Sequence, residues 1–179
     1  MSEELDEEYS ENVDRDVEPD QGARVAQMLE DPLSKLGPSA PICVAETTTV
    51  HEAIQAMLGG RQAGVLVVDA DGRLTGIFTE RDVLTRVAGR GLDAHRTTLR
   101  DVMTRDPEAL EPTDLVAYAL HCMRVAGHRT IPLVDADRRP VGVVTVTDVV
   151  RWLGDIFPES ILNVQPGGRI KRPDQIDMG

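Results

Sequence analysis

Apolar and polar positions follow two rhythms in this chain, and each rhythm occurs twice. A short apolar run at Ile42 to Ala45 is followed by Thr49-Val50-His51-Glu52, a Thr-x-x-Glu capping box. Apolar residues at Val50, Ala53, Ile54, Met57 and Leu58 then recur at helical spacing until Gly59 and Gly60. Val65 to Val68 and Thr75 to Phe78 flank Asp69-Ala70-Asp71-Gly72, the signature of a hairpin. A second helix is predicted after Thr79, with Val83, Leu84, Val87 and Ala88 on one face. The order is strand, helix, strand, strand, helix.

The order then repeats. Shifting the chain by 66 residues aligns Leu33 to about Ala88 with Leu99 to about Gly154 without a gap. The second copy predicts a strand at Ala109 to Glu111 and a helix carrying Val116, Ala119, Leu120 and Met123. A hairpin around Asp135 to Arg139 and a helix from Val146 to Leu153 complete it. Identities gather at particular places: Val68, Asp69, Ala70, Asp71 and Arg73 recur as Val134, Asp135, Ala136, Asp137 and Arg139. Gly76, Thr79, Asp82 and Val83 recur as Gly142, Thr145, Asp148 and Val149. One such unit leaves apolar surface uncovered, and two packed together cover it. The chain therefore reads as α+β, two small three-stranded sheets with packed helices related by a pseudo-twofold axis. We assign residues 25–92 to the first unit and 93–158 to the second, with 1–24 an acidic disordered tail and 159–179 a flexible C-terminal tail.

Charge supports that division. The net charge is -12 over 179 residues, but residues 1–20 hold ten acidic side chains and one Arg, leaving a net of -3 on the rest. So acidic and apolar-poor a segment cannot offset the entropy of ordering it. No Lys/Arg stripe is present, which argues against nucleic-acid binding. The start lacks the basic and apolar regions of a signal peptide and the apolar runs are too short to span a bilayer, so a cytoplasmic protein is expected, with no membrane partner. Cys43 and Cys122 are far apart, have no metal-ligand spacing, and read as buried thiols. His51, His95 and His121 are scattered, so no metal site is expected. Neither Gly-x-Ser-x-Gly nor His-Glu-x-x-His is present, which argues against an enzyme.

With this element order, the duplication, and Gly-x-x-Thr-x-x-Asp closing each unit, the chain resembles the CBS-domain family, in particular the stand-alone tandem pair called a Bateman module. The resemblance rests on Gly76-Ile77-Phe78-Thr79-Glu80-Arg81-Asp82 and Gly142-Val143-Val144-Thr145-Val146-Thr147-Asp148, on Asp101-Val102-Met103-Thr104, and on Arg129-Thr130-Ile131-Pro132-Leu133-Val134-Asp135. It covers residues 33 to about 155. It implies a regulatory module with a cleft between the units for AMP, ADP, ATP or a related adenosyl compound such as S-adenosylmethionine. Asp82 and Asp148 would hold the ribose, Thr79 and Thr145 the phosphate side. Arg61, His128 and Arg129 would balance phosphate charge, Arg61 less securely because its surroundings depart from the second unit. The resemblance also implies a homodimer acting on a separate regulated protein.

The residues themselves leave alternatives open. Thr79 as an N-cap would sit beside free backbone N–H groups suited to phosphate, and Asp82, one turn on, could accept two vicinal hydroxyls. Gly76 and Gly142 would permit close approach to the backbone. Yet Thr-x-x-Asp is also a plain capping device, Gly59-Gly60-Arg61 a plain helix stop, and Arg61 and Arg129 ordinary surface charges. Trp152 and Phe157 could face a partner or end the core. The alternative function is a ligand-free dimerisation or protein-interaction module. The second unit has His128 and Arg129 where the first has Gln62 and Ala63, so the two clefts should not be equivalent.

Overall fold

A computed structural model describes residues 26–156 and, ahead of them, Ala23. Most of the acidic tail, the C-terminal tail and Phe157 lie outside the described residues. The first unit contains β1 (Cys43–Ala45), α1 (Val50–Gly60), β2 (Gly64–Val68) and β3 (Leu74–Thr79). A helical segment over 80–90 follows, in which an α turn (α2, Glu80–Asp82) passes into a π turn (Val83–Val87) and a 3₁₀ turn (Ala88–Arg90). The second unit contains α3 (Leu99–Val102), β4 (Thr104–Arg105), α4 (Val116–Val125), β5 (Thr130–Val134), β6 (Pro140–Thr145) and α5 (Val146–Ile156). None of the described helices is long and apolar enough to cross a membrane.

The predicted capping box forms: Thr49 Oγ1 accepts from the Glu52 N–H at 3.2 Å while the Glu52 carboxylate accepts from the Thr49 N–H at 2.9 Å. Capping places Val50, Ala53 and Met57 on the buried face. The helix runs through Gly60, and the left-handed residue that stops it is Arg61, φ 53°. Its counterpart in the repeat is Gly127, φ 69°, so the same turn is built once with glycine and once without. Both hairpin turns hold their strands with an aspartate: Asp69 Oδ1 accepts from the Asp71 and Arg73 N–H groups, and Asp135 Oδ1 from those of Asp137 and Arg139. In the segment 80–90, Val83 and Val87 face inward, whereas Leu84, about 100° further round the helix, is 69% exposed.

The four-stranded sheet has the order β1-β2-β3-β4, and β5 and β6 form the second sheet. The strand expected at Ala109 to Glu111 is reduced to one parallel bridge, Leu110 to Leu133. Each sheet is covered on both faces, which is why β2 and β5 read as continuous apolar runs. Val65, Val67 and Phe78 face the helices of the first unit, and Ile131, Leu133 and Val144 those of the second, where Trp152 also packs. Leu66, Leu74 and Ile77 turn the other way and meet Val134 and Val143, joining the two sheets.

The units also exchange their leading segments. Leu99, Val102 and Met103 open the second copy of the repeat yet lie in the core of the first unit, and β4 pairs with β3. Reciprocally, Leu33 and Leu36 open the first copy and lie in the core of the second, where Ser39 bridges Val143. Backbone bonds follow the same exchange. The first N–H groups of α1, from Val50 and His51, donate to Thr97 and Ala94, and the Val116 N–H opening α4 donates to Asp31. One symmetric bond is single: the Leu74 N–H donates to the Arg138 carbonyl at 2.9 Å, but the residue equivalent to Leu74 is Pro140, which has no N–H.

Candidate functional site

Thr79 and Thr145 end the last strand of each hairpin, and Asp82 and Asp148 lie one helical turn on. Asp82 and Asp148 are the buried charged residues of the described chain, at 8% and 4% exposure. A carboxylate out of water has to be compensated by donors, and both are, in the same way. Asp82 Oδ2 accepts from the Thr79 N–H at 2.9 Å and its hydroxyl at 2.8 Å, and Asp148 Oδ2 from those of Thr145 at 2.8 and 2.7 Å. The other oxygen takes an arginine: Arg86 Nε stands 3.1 Å from Asp82 Oδ1 and Arg151 Nη1 3.1 Å from Asp148 Oδ1. Arg86 is held further by the Val102 carbonyl at 2.9 Å, on the exchanged segment. Arg151 is more exposed.

This geometry narrows what the sequence reading allowed. A carboxylate has about four acceptor positions; hydrogen bonds use three of them on Asp148 and two on Asp82, whose Oδ1 meets Arg86 as an ion pair, so in each unit an arginine limits the room on Oδ1 where two hydroxyls were expected. A second hydroxyl requires the arginine to swing aside. Each threonine hydroxyl spends its proton on the aspartate and must rotate to meet a phosphate. Nor are the helix N–H groups all free: that of Glu80 donates to the Ala63 carbonyl at 3.0 Å and that of Val146 to the Arg129 carbonyl at 3.1 Å. Capping and the expected ligand contacts draw on the same atoms.

Gly76 and Gly142 have a different cause from the one expected. A Cβ on Gly76 would lie 2.4 Å from Met103 Sδ and 3.1 Å from the Thr104 carbonyl oxygen, and one on Gly142 would lie 3.2 Å from Pro38 Cβ. The space over both glycines is filled by the exchanged segments, so their missing side chains admit protein.

The basic residues separate. Arg129 directly precedes Thr130, which pairs with Thr145, so its backbone adjoins the second Thr/Asp pair. His128 stands beside it with Nε2 3.9 Å from Glu108 Oε2, so a carboxylate already faces it. Arg61 is exposed at the carboxyl end of α1, where the helix dipole favours a cation.

Other expectations change too. Cys43 is exposed, because β1 lies at the sheet edge and its first and third residues face solvent. Partial desolvation still raises its thiol above the usual range. Cys122 is buried as expected; burial first, then hydrogen bonding and the charge of Glu108, push its thiol up, away from the reactive thiolate. His51 and His95 are brought together with ring centroids 4.1 Å apart, a contact 44 positions of sequence separation had hidden. Among the described residues no group of three or more metal-ligating side chains occurs.

Comparison with known proteins gives a consistent picture. The CBS domain pattern matches residues 34–89 and again 99–155. The CBS domain-containing protein CBSCBSPB2 of Arabidopsis thaliana is 32% identical over 126 residues, 70% of this chain but 23% of that protein, so the chain spans about a quarter of that relative's length. Among solved structures, the CBS domain pair of protein MJ0100, in complex with 5′-methylthioadenosine and S-adenosyl-L-methionine, superposes with a TM-score of 0.62 at 26% identity, covering 69% of this chain and 99% of that one. The CBS domain protein PAE2072 of Pyrobaculum aerophilum, complexed with AMP, gives 0.60 at 27% identity, covering 65% and 88%.

Proposed function

The chain belongs to the CBS domain family, with two of its domains in tandem, and from that premise we propose that it is a non-catalytic regulatory module that binds an adenosyl nucleotide between its units and passes that binding to a partner protein. The observation that carries this reading is the Thr/Asp pair built twice: a carboxylate over nine-tenths buried, two of its bonds made by one threonine, with acceptor capacity left on Oδ1 for a sugar hydroxyl. The related pairs solved with AMP, or with 5′-methylthioadenosine and S-adenosyl-L-methionine, support an adenosyl ligand. Ligand that binds across the joint between the sheets biases their relative angle by its difference in affinity for the two arrangements.

A homodimer fits the same reading. Leu84 and Val150 occupy equivalent positions on the helical segments after each Thr/Asp pair, at 69% and 59% exposure. A second copy would cover them. Those residues also serve the alternative, a ligand-free interaction module.

A thermal-shift screen of the full chain with AMP, ADP, ATP, 5′-methylthioadenosine and S-adenosylmethionine tests the proposal. Ligand at one hundred times its dissociation constant adds about 2.7 kcal/mol, a rise of roughly 8–10 °C for a domain of this size. No shift with any of the five, in a folded protein, leaves the interaction module as the surviving reading.

A further inference from the structure

The two Thr/Asp pairs are the same in backbone and opposite in charge. In each unit one backbone bond joins the residue just before the strand partner of the threonine to the first residue of the following helical segment. In the first unit it joins Ala63 to Glu80, in the second Arg129 to Val146, at 3.0 and 3.1 Å. At matched places the first unit thus carries an apolar residue and an anion, the second a cation and an apolar residue. All four residues are exposed, and neither Glu80 nor Arg129 is in an ion pair among the described residues. Each charge is thus carried by a residue that adjoins a Thr/Asp pair through the same backbone bond.

We infer that the two sites take different ligands: the site at Thr145 and Asp148 an adenosine carrying a 5′-phosphate, and the site at Thr79 and Asp82 an adenosine whose 5′ substituent is neutral or cationic, such as a thioether or sulfonium. The inference rests on the adenosyl-binding reading above and specifies the ligand class of each half. A phosphate beside Arg129 gains a charge-assisted hydrogen bond, and Arg is suited to bidentate contact with its oxygens. The same phosphate beside Glu80 meets like charge with no cation at position 63. A sulfonium reverses both signs. Nearby arginines of the first unit do not cancel Glu80: Arg86 is paired with Asp82, as Arg151 is with Asp148 in the second unit, so the two offset each other in the comparison. Arg61 is placed at the carboxyl end of α1, and Arg81 is about 100° round the helix from Glu80. His128 adds little to the second site while Glu108 faces it.

Two-ligand calorimetry on the full chain, with amide chemical-shift mapping, tests the assignment using AMP and 5′-methylthioadenosine. AMP should fill one site per chain and shift the amides of Arg129 and Thr145 to Asp148, and 5′-methylthioadenosine should shift those of Ala63 and Thr79 to Asp82. Arg129→Ala should weaken AMP about tenfold or more and leave 5′-methylthioadenosine within twofold. The exchange of surface residues Ala63→Arg with Glu80→Val leaves the buried carboxylates untouched and should admit a second AMP. Equal AMP affinity at both sites, AMP shifts in the first unit before the second, or an Arg129→Ala variant that weakens both compounds alike overturns the inference while adenosyl binding stands. Binding of neither compound overturns the adenosyl reading and, with it, this one.

Discussion

Leu99 lies at the start of the second repeat but is fully buried in the core of the first unit, among Val50, Ala53, Val65 and Phe78. Replacing it with alanine therefore damages the unit that its place in the sequence does not suggest. Three buried carbons at about 0.8 kcal/mol each set a floor near 2.4 kcal/mol. The cavity left in a core bounded by the sheet and α1 raises the cost to about 2.5–5 kcal/mol, a large part of the roughly 5–15 kcal/mol that holds a domain folded. The total is measured by urea denaturation followed by circular dichroism. Its location is measured by native-state hydrogen exchange: the Val65 and Val67 amides of β2 should lose protection before those of Ile131 and Leu133 in β5. Leu33→Ala should give the converse, because Leu33 is fully buried in the second unit. A Leu99→Ala chain that costs under about 1 kcal/mol, or loses protection first in β5, would refute the exchange.

Gly76→Ala should destabilise the fold by about 1–3 kcal/mol, since its Cβ would meet Met103 Sδ at 2.4 Å, and Gly142→Ala by less, its nearest contact being at 3.2 Å; paired urea melts compare them. Backbone and then side-chain hydrogen bonds from Thr49 lower the Glu52 carboxyl below its ordinary value. A lowered folded-state pKa contributes stability above the unfolded value of about 4.3 that is lost as pH falls through the folded value. Glu52→Gln should thus flatten the stability profile below about pH 4 and remain folded at pH 7. In native protein at pH 8, iodoacetamide should label Cys43 and spare Cys122, with Cys43 labelling rising toward higher pH because its thiol is raised; intact-mass spectrometry reads both, and early modification of Cys122 would contradict its burial.

Local chemistry made much of the fold legible before any coordinates. Thr49 and Glu52 announce a helix start because both partners of the capping box lie within one turn, and the aspartates of the hairpin turns bond to N–H groups two and four residues away. The duplication is visible because both copies solve the same steric problems at the same places: Thr145 and Asp148 repeat the local bonds of Thr79 and Asp82. What depends on residues far apart in sequence was decided by the tertiary structure. The exchange of Leu33 with Leu99 is hidden because an apolar residue at the head of a repeat fits either core equally by pattern. Only the closure of two sheets face to face, with β4 beside β3, selects the one across the joint. Gly76 read as room for a ligand because nothing local says what fills the space over it; Met103, 27 positions on, fills it. The differing charges beside the two Thr/Asp pairs are written in the sequence at 63, 80, 129 and 146. Their opposition emerged only when the strand register and one backbone bond brought each pair together.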